Sequence, residues 1–303
     1  MIPVRKRICS PVVQRQITLA NLAANIGIVI TGGAVRLTGS GLGCPTWPKC
    51  TEDSYHATAE LGINGAIEYG NRVLSVIVGI IAVLTVVTLW RTPHRRLALT
   101  VLGGVLFQGL LGGLTVRFDL SPYFVGPHFL FSMVLIALAY QLWRRTTTPA
   151  ARTEPRLRPL AVAVTIVSAA VLVVGVVVTG SGPHAGDDQA VRTGLDPEMI
   201  SQLHVDVVFL TLGLTIAYAI VARATRRTGL VLLAVLLAQG LIGFVQYFTG
   251  LPVILVGAHL AGACAVWIAT LRLWSATAPA AEPVPAQQNA NRAELTTVGR
   301  PLR

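Results

Sequence analysis

Apolar stretches of about 20 residues, enough for a helix to cross a hydrocarbon core of about 30 Å, run through 16–36, 66–90, 97–116, 124–143, 159–179, 199–222, 228–248 and 253–274. They predict eight membrane-crossing helices, an even number that returns both ends of the chain to one side. The connection 146–158, rich in Thr, Pro and Arg, divides these helices four and four. It reads as a linker between an N-terminal half, 1–145, and a C-terminal half, 159–275. From 276 to 303 the chain is rich in Pro and Ala and carries Gln287, Gln288, Asn289 and Asn291. That stretch has too little apolar content to pack and is expected to be a disordered tail.

Composition strengthens the membrane reading. Of the 303 residues, 53% are hydrophobic and 12% charged, and the mean hydropathy is +0.66, which excludes a soluble domain of this length. A net charge of +11 would point to nucleic acid in a soluble protein, but here its distribution speaks of orientation. Arg5, Lys6, Arg7, Arg15, Arg91, Arg95, Arg96, Arg144, Arg145, Arg152, Arg156, Arg158, Arg223, Arg226, Arg227, Arg272, Arg292, Arg300 and Arg303 all fall on the side of the termini. Both termini are therefore expected in the cytoplasm, with membrane lipid and no nucleic acid as the surroundings. The first span begins too late and runs too long for a cleaved signal peptide, and the residues before it make no transit sequence. A multi-pass protein of a bacterial plasma membrane is expected.

The two halves repeat one another. Thr38-Gly39-Ser40-Gly41 ends the first span and Thr179-Gly180-Ser181-Gly182 the fifth. Gln108-Gly109-Leu110-Leu111-Gly112 in the third span matches Gln239-Gly240-Leu241-Ile242-Gly243 in the seventh. Val125-Gly126-Pro127-His128 opens the fourth and Val256-Gly257-Ala258-His259 the eighth, as far apart as the two glutamines. Halves with an even number of spans keep one orientation, so an axis along the membrane normal relates them. The fold class is all-α: two repeat-related four-helix bundles side by side.

Three of the six histidines, His128, His204 and His259, lie within spans, where a polar ring is costly and usually marks function. Each follows a proline (Pro122, Pro197, Pro252) by six or seven residues, on the order of 10 Å into its helix. A single such histidine would read as a helix-to-helix hydrogen-bonding residue; matched depth in repeat-related positions argues for a shared task. His204 and His259 offer two imidazoles from non-adjacent helices of one bundle, the arrangement that grips a haem by both iron faces. Zinc would want further ligands, and Asp206, two residues after His204, points elsewhere.

In the first half, His128 matches His259, and counting back nearly the same distance from His204 reaches Asn71. Glu68 lies three residues before Asn71 on the same helical face, where a carboxylate is expensive unless paired or protonated. It reads either as an ion pair with Arg72 or as a reacting acid. The matching position of the second half is Ser201, which favours the acid: one half keeps two ligands, and the other trades a ligand for an open face and a carboxylate.

Up to about residue 275 the sequence resembles the haem A synthase family. The resemblance rests on Thr38-Gly-Ser-Gly-Leu-Gly-Cys44, Trp47-Pro48-Lys49-Cys50, Glu68 with Arg72, Thr179-Gly-Ser-Gly-Pro-His-Ala-Gly-Asp187 and the histidine entries of the fourth, sixth and eighth spans. It implies an oxidoreductase that converts the C8 methyl group of haem O to the formyl group of haem A, the haem of terminal cytochrome oxidases. The first half would hold the substrate, at His128, Asn71 and Arg72, with Glu68 catalytic. The second half would hold a haem B cofactor, its iron between His204 and His259. Many members carry a histidine where this chain has Asn71, which implies five-coordinate substrate iron on His128. The resemblance also implies a disulfide between Cys44 and Cys50, the two cysteines on the outer side, where disulfides persist, as a staple or a redox pair. His184 belongs to a family motif, with a cofactor-side or metal contact as its expected part, while His56 and His94 are expected in solvated loops. Haem O synthase and cytochrome oxidase assembly factors are the candidate partners.

Two other functions fit parts of the pattern. A non-catalytic bis-histidine membrane cytochrome would need His204 and His259 but not Glu68. Parallel repeats are also a transporter habit, although the spans lack paired interruptions at mid-depth.

Overall fold

The computed structural model describes residues 9–147, 153–184, 186–187 and 189–278. Its helices are α1 (Pro11–Leu37), α2 (Gly62–Leu89), α3 (Arg95–Arg117), α4 (Pro122–Arg145), α5 (Arg158–Ser181), α6 (Pro197–Val221), α7 (Arg226–Phe248) and α8 (Val253–Ala276), with single 3₁₀ turns at Ala59–Leu61 and Pro155–Leu157. All eight are long and apolar enough to cross a membrane, and no strand occurs among the described residues. The tail expected from 276 onward falls almost wholly outside them, as do Arg5, Lys6, Arg7, Arg152, Arg292, Arg300 and Arg303.

Capping chemistry sets the helix starts. Ser10 accepts a hydrogen bond from the Val13 amide at 3.4 Å ahead of Pro11, so α1 begins several residues before the apolar stretch. Asp196 accepts from the Glu198 and Met199 amides ahead of Pro197 at the start of α6. In both, the side chain satisfies amides that the helix leaves without a partner, and proline takes the first position, where its fixed φ is helical and no N–H is needed.

Lipid tails are as apolar as leucine, so helices in a bilayer associate through close packing and interhelical hydrogen bonds. In the first half α1 packs on α2, α2 on α3, α3 on α4 and α4 back on α1; α5 to α8 close a second ring in the same order. Asn21 on α1 donates to Thr85 on α2 at 3.3 Å, and Thr270 on α8 to Ser168 on α5 at 3.4 Å. The rings meet along α1–α8, α4–α5 and α4–α8. Leu22, Val29, Met133, Ile136, Tyr140, Cys264 and Leu271 fill that seam, and the Trp267 indole of α8 donates to the Met133 carbonyl of α4 at 2.9 Å.

The linker is anchored by a carboxylate. Glu154, 7% exposed, accepts from the amides of Arg223, Ala224 and Thr225 and from the Thr225 hydroxyl, just ahead of α7, and from the Arg156 guanidinium at 2.6 Å. Desolvation works to raise its pKa, but these donors outweigh it and hold the value down at about 2. A depressed carboxylate pKa gives stability that is complete above the unfolded value and is lost as pH falls through the folded one. Glu154→Gln is therefore expected to lower the thermal stability of the purified protein at pH 7 by about 1–3 kcal/mol. Melting curves of wild type and variant should converge as the pH is lowered toward 2; an unchanged gap across that range would refute the anchor.

Candidate functional site

The three transmembrane histidines share one local construction. His128 on α4 packs over Gly112 on α3, His204 on α6 over Gly175 on α5, and His259 on α8 over Gly243 on α7. A Cβ at these glycines would stand 3.2, 3.1 and 3.1 Å from the respective imidazole Cε1 atoms. A Cβ at each would crowd the ring by a few tenths of an ångström, so glycine gives the imidazole its closest approach. Asn71 takes the corresponding position more loosely, on α2 beside Gly32 of α1, where a Cβ would be 3.9 Å from its Nδ2, an ordinary contact. Residues 71, 128, 204 and 259 thus all lie against a glycine of the helix preceding their own.

Further contacts recur between the halves. Gln108 donates to the His128 carbonyl at 2.8 Å, and Gln239 to the His259 carbonyl at 2.7 Å. The Nδ1 atoms of His128, His204 and His259 are buried and complete no hydrogen bond. Imidazoles with unsatisfied nitrogens inside an apolar bundle are costly unless a partner completes them, and two of them in one four-helix ring would suit a haem iron. The donor set fits that group. His128 stands without a second imidazole, because its partner position carries Asn71, whose Oδ1 accepts from Thr31 at 2.8 Å. Asp206 accepts from Gln202 instead.

Glu68 and Arg72 form the ion pair weighed in the sequence, at 2.6 Å. The pair also binds a loop. Glu68 Oε2 accepts from the Cys44 amide at 2.6 Å, while Arg72 donates to the carbonyls of Cys44, Thr46 and Lys49. Cys44 and Cys50 are joined in a disulfide, both fully buried. The loop they close lays the Trp47 indole against Gly113 of α3, next to the glycine that carries His128. No hydrogen bond joins Glu68 to His128 or Asn71 among the described residues. A disulfide closing so short a loop contributes about 2–3 kcal/mol in the chain-entropy model. Maleimide labelling of unfolded protein is expected to tag only Cys9 and Cys264 before reduction and all four cysteines after it; four tags without reduction would exclude the bond.

His184 bonds the Leu251 carbonyl through Nε2 at 3.1 Å, and no cluster of three metal-binding side chains occurs among the described residues. His56 is exposed and edges against Tyr69. Sequence reasoning missed three features of the site. The role of the glycines was hidden, although Gly112 and Gly243 stood in a recognised repeat. Trp47 gave no sign that it reaches α3. Arg36 was not singled out, although an arginine inside the end of an apolar span is itself a signal.

A family model described as cytochrome oxidase assembly protein, COX15-CtaA, matches residues 15–186. The chain belongs to this family. Among curated relatives, it is 35% identical over 136 residues to the haem A synthase of Shewanella oneidensis, a match covering 39% of this chain and 41% of that protein. It is 34% identical over 123 residues to the haem A synthase of Shouchella clausii, covering 39% and 40%, and 30% identical over 132 residues to that of Alkalihalophilus pseudofirmus, covering 41% and 44%. The chain spans less than half the length of each of these relatives. Eight apolar helices in a member of this family make the chain a multi-pass protein of the bacterial plasma membrane.

Proposed function

We propose that the chain is a haem A synthase, an oxidoreductase that converts the C8 methyl group of haem O to the formyl group of haem A, with haem B as its cofactor. The observation that carries this reading is the set of four matched positions over glycines, three with imidazoles and one, Asn71, without. A half with two facing imidazoles suits a permanently held haem; a half with one leaves room for a haem that enters and departs.

His204 and His259 hold the haem B iron, and haem B when bound supplies one-electron redox chemistry. The glycines beneath both rings let them pack close against α5 and α7, and a hydrogen-bond partner for Nδ1 would leave Nε2 for the metal. In the first half, His128 takes the substrate iron, with Asn71 and Arg72 beside it. Glu68 presents a carboxylate that stabilises positive charge developing at the oxidised carbon or takes up a released proton. Its bonds to Cys44 and Arg72 orient it and tie the Trp47 loop over the substrate half. The N-terminal half, 1–145, is thus the substrate unit and 159–275 the cofactor unit, joined by the linker 146–158, with both termini in the cytoplasm. Haem O synthase and oxidase assembly factors are the partners this reaction calls for.

Co-expression with a haem O source, followed by chromatography of extracted pigment, tests the proposal. Haem B together with haem A is expected. Haem B alone would favour a bis-histidine electron-transfer cytochrome, and the absence of any haem would discard both.

A further inference from the structure

The end of the molecule that carries the disulfide holds two arginines, Arg36 and Arg192, beside the segment of Asp187. Arg36, on the last turn of α1 in the first half, reaches across the seam: its Nη2 donates to the Thr179 carbonyl at 2.8 Å, and its Nε donates to the His184 carbonyl. Both acceptors belong to the second half. Arg192, in the loop between α5 and α6, donates to the Ala190 carbonyl at 2.7 Å. The next residue, Thr193, fixes this loop to α5 through its amide on the Gly180 carbonyl at 3.1 Å and its hydroxyl against Ser181 at 2.6 Å. Arg36 and the loop that carries Arg192 therefore both attach to one short stretch, Thr179 to Ser181. Neither forms an ion pair with an acid among the described residues, whose only two salt bridges are Glu68–Arg72 and Glu154–Arg156.

Guanidiniums held by carbonyls alone at the edge of a low-dielectric bundle keep their charge uncompensated and favour an added anion. The position of the pair names the anion. Thr179 lies one helical turn, about 6 Å, beyond Gly175, the residue that carries the His204 ring. His184, whose carbonyl receives Arg36, bonds through its ring to Leu251, at the entrance of the helix bearing His259. Leu37, next to Arg36, lies 3.4 Å from where a Cβ on Gly257 would stand, two residues before His259. The cation pair thus sits over the mouth of the two-imidazole site. In the first half, Arg72 is instead paired with Glu68 and bonded to three loop carbonyls.

We propose that Arg36 and Arg192 together bind the carboxylate side chains of the haem held between His204 and His259. The inference rests on the haem reading of that site and adds a determinant of its own. Guanidiniums match carboxylates in geometry and stay charged at every working pH. Because Arg36 comes from α1, a haem so held also clasps the two halves together at this end.

The test uses full-length protein, prepared without haem in a neutral detergent and titrated with iron protoporphyrin IX or with its dimethyl ester, which keeps the iron and ring and masks both carboxylates. Low-spin absorbance reports binding at the two imidazoles. Wild type is expected to prefer the free acid by about tenfold or more. Arg36→Gln with Arg192→Gln should bring the acid down to the affinity of the ester while the low-spin band shape stays unchanged. Arg192→Gln alone touches only a carbonyl of its own loop, so it should fold normally and still lose part of the preference. Equal binding of acid and ester by wild type, or a preference undiminished in both variants, overturns the carboxylate site and leaves the imidazole site standing. Failure of wild type to form any low-spin complex overturns the haem reading itself, and this inference with it.

Discussion

Replacing His204 or His259 with alanine is expected to abolish the low-spin haem B spectrum of the purified protein. A haem gripped by two axial imidazoles loses its six-coordinate iron when either is removed. The two rings also depend on what lies beneath them. Valine at Gly243 would drive a branched side chain into the His259 ring, whose Cε1 is 3.1 Å from the Cβ position, whereas Gly240 on the same helix has nothing within 4 Å. Gly243→Val should therefore lose low-spin haem, and Gly240→Val should keep it, although both place the same residue in α7. Optical spectra with a pyridine haemochrome assay decide the matter. An unchanged low-spin spectrum in purified His204→Ala protein would defeat the cofactor assignment outright.

The eight helices were legible because a bilayer imposes one dominant requirement, an apolar run of fixed length. What moved was the ends. Helix α1 starts at Pro11 rather than near 16 because Ser10 and Pro11 satisfy its first turn through hydrogen bonding and fixed φ, chemistry that hydropathy does not register. The glycine–imidazole contacts were half legible. The repeats put Gly112 beside His128 and Gly243 beside His259 in the same two motifs, but only helix packing shows that the ring of one lies on the backbone of the other.

The charged groups were harder to read, for a common physical reason. Glu154 is held mainly by backbone amides ahead of α7, and every residue has an amide, so no residue type announces the partner. Arg36 and Arg192 are far apart in the chain, and their meeting depends on how the two rings of helices pack at the seam. Glu68 could be read as a reacting acid or as half of an ion pair, because a carboxylate four residues before an arginine serves either role. The structure forms the pair and adds the loop contacts that neither reading contained.

Those contacts sharpen what Glu68→Gln should do. The carboxylate has two tasks to separate: it anchors the Cys44–Cys50 loop together with Arg72, and it offers negative charge at the substrate half. Loss of the anchor alone should look the same whichever partner is removed, since Arg72 donates to three loop carbonyls and Glu68 accepts the Cys44 amide. Loss of the charge follows only from Glu68→Gln, because Arg72→Gln leaves the carboxylate in place. Removing one preorganised electrostatic group from an active site typically costs about 100-fold or more in turnover. Glu68→Gln is thus expected to keep the haem B spectrum and lower haem A formation by at least that factor, with haem O or a partly oxidised haem accumulating. Arg72→Gln should lose much less, while both variants make the disulfide easier to reduce by loosening the loop over it. Haem analysis and thiol-reduction rates on the two variants separate the tasks. Equal losses of haem A in both would assign Glu68 to the loop anchor and remove it from the chemistry.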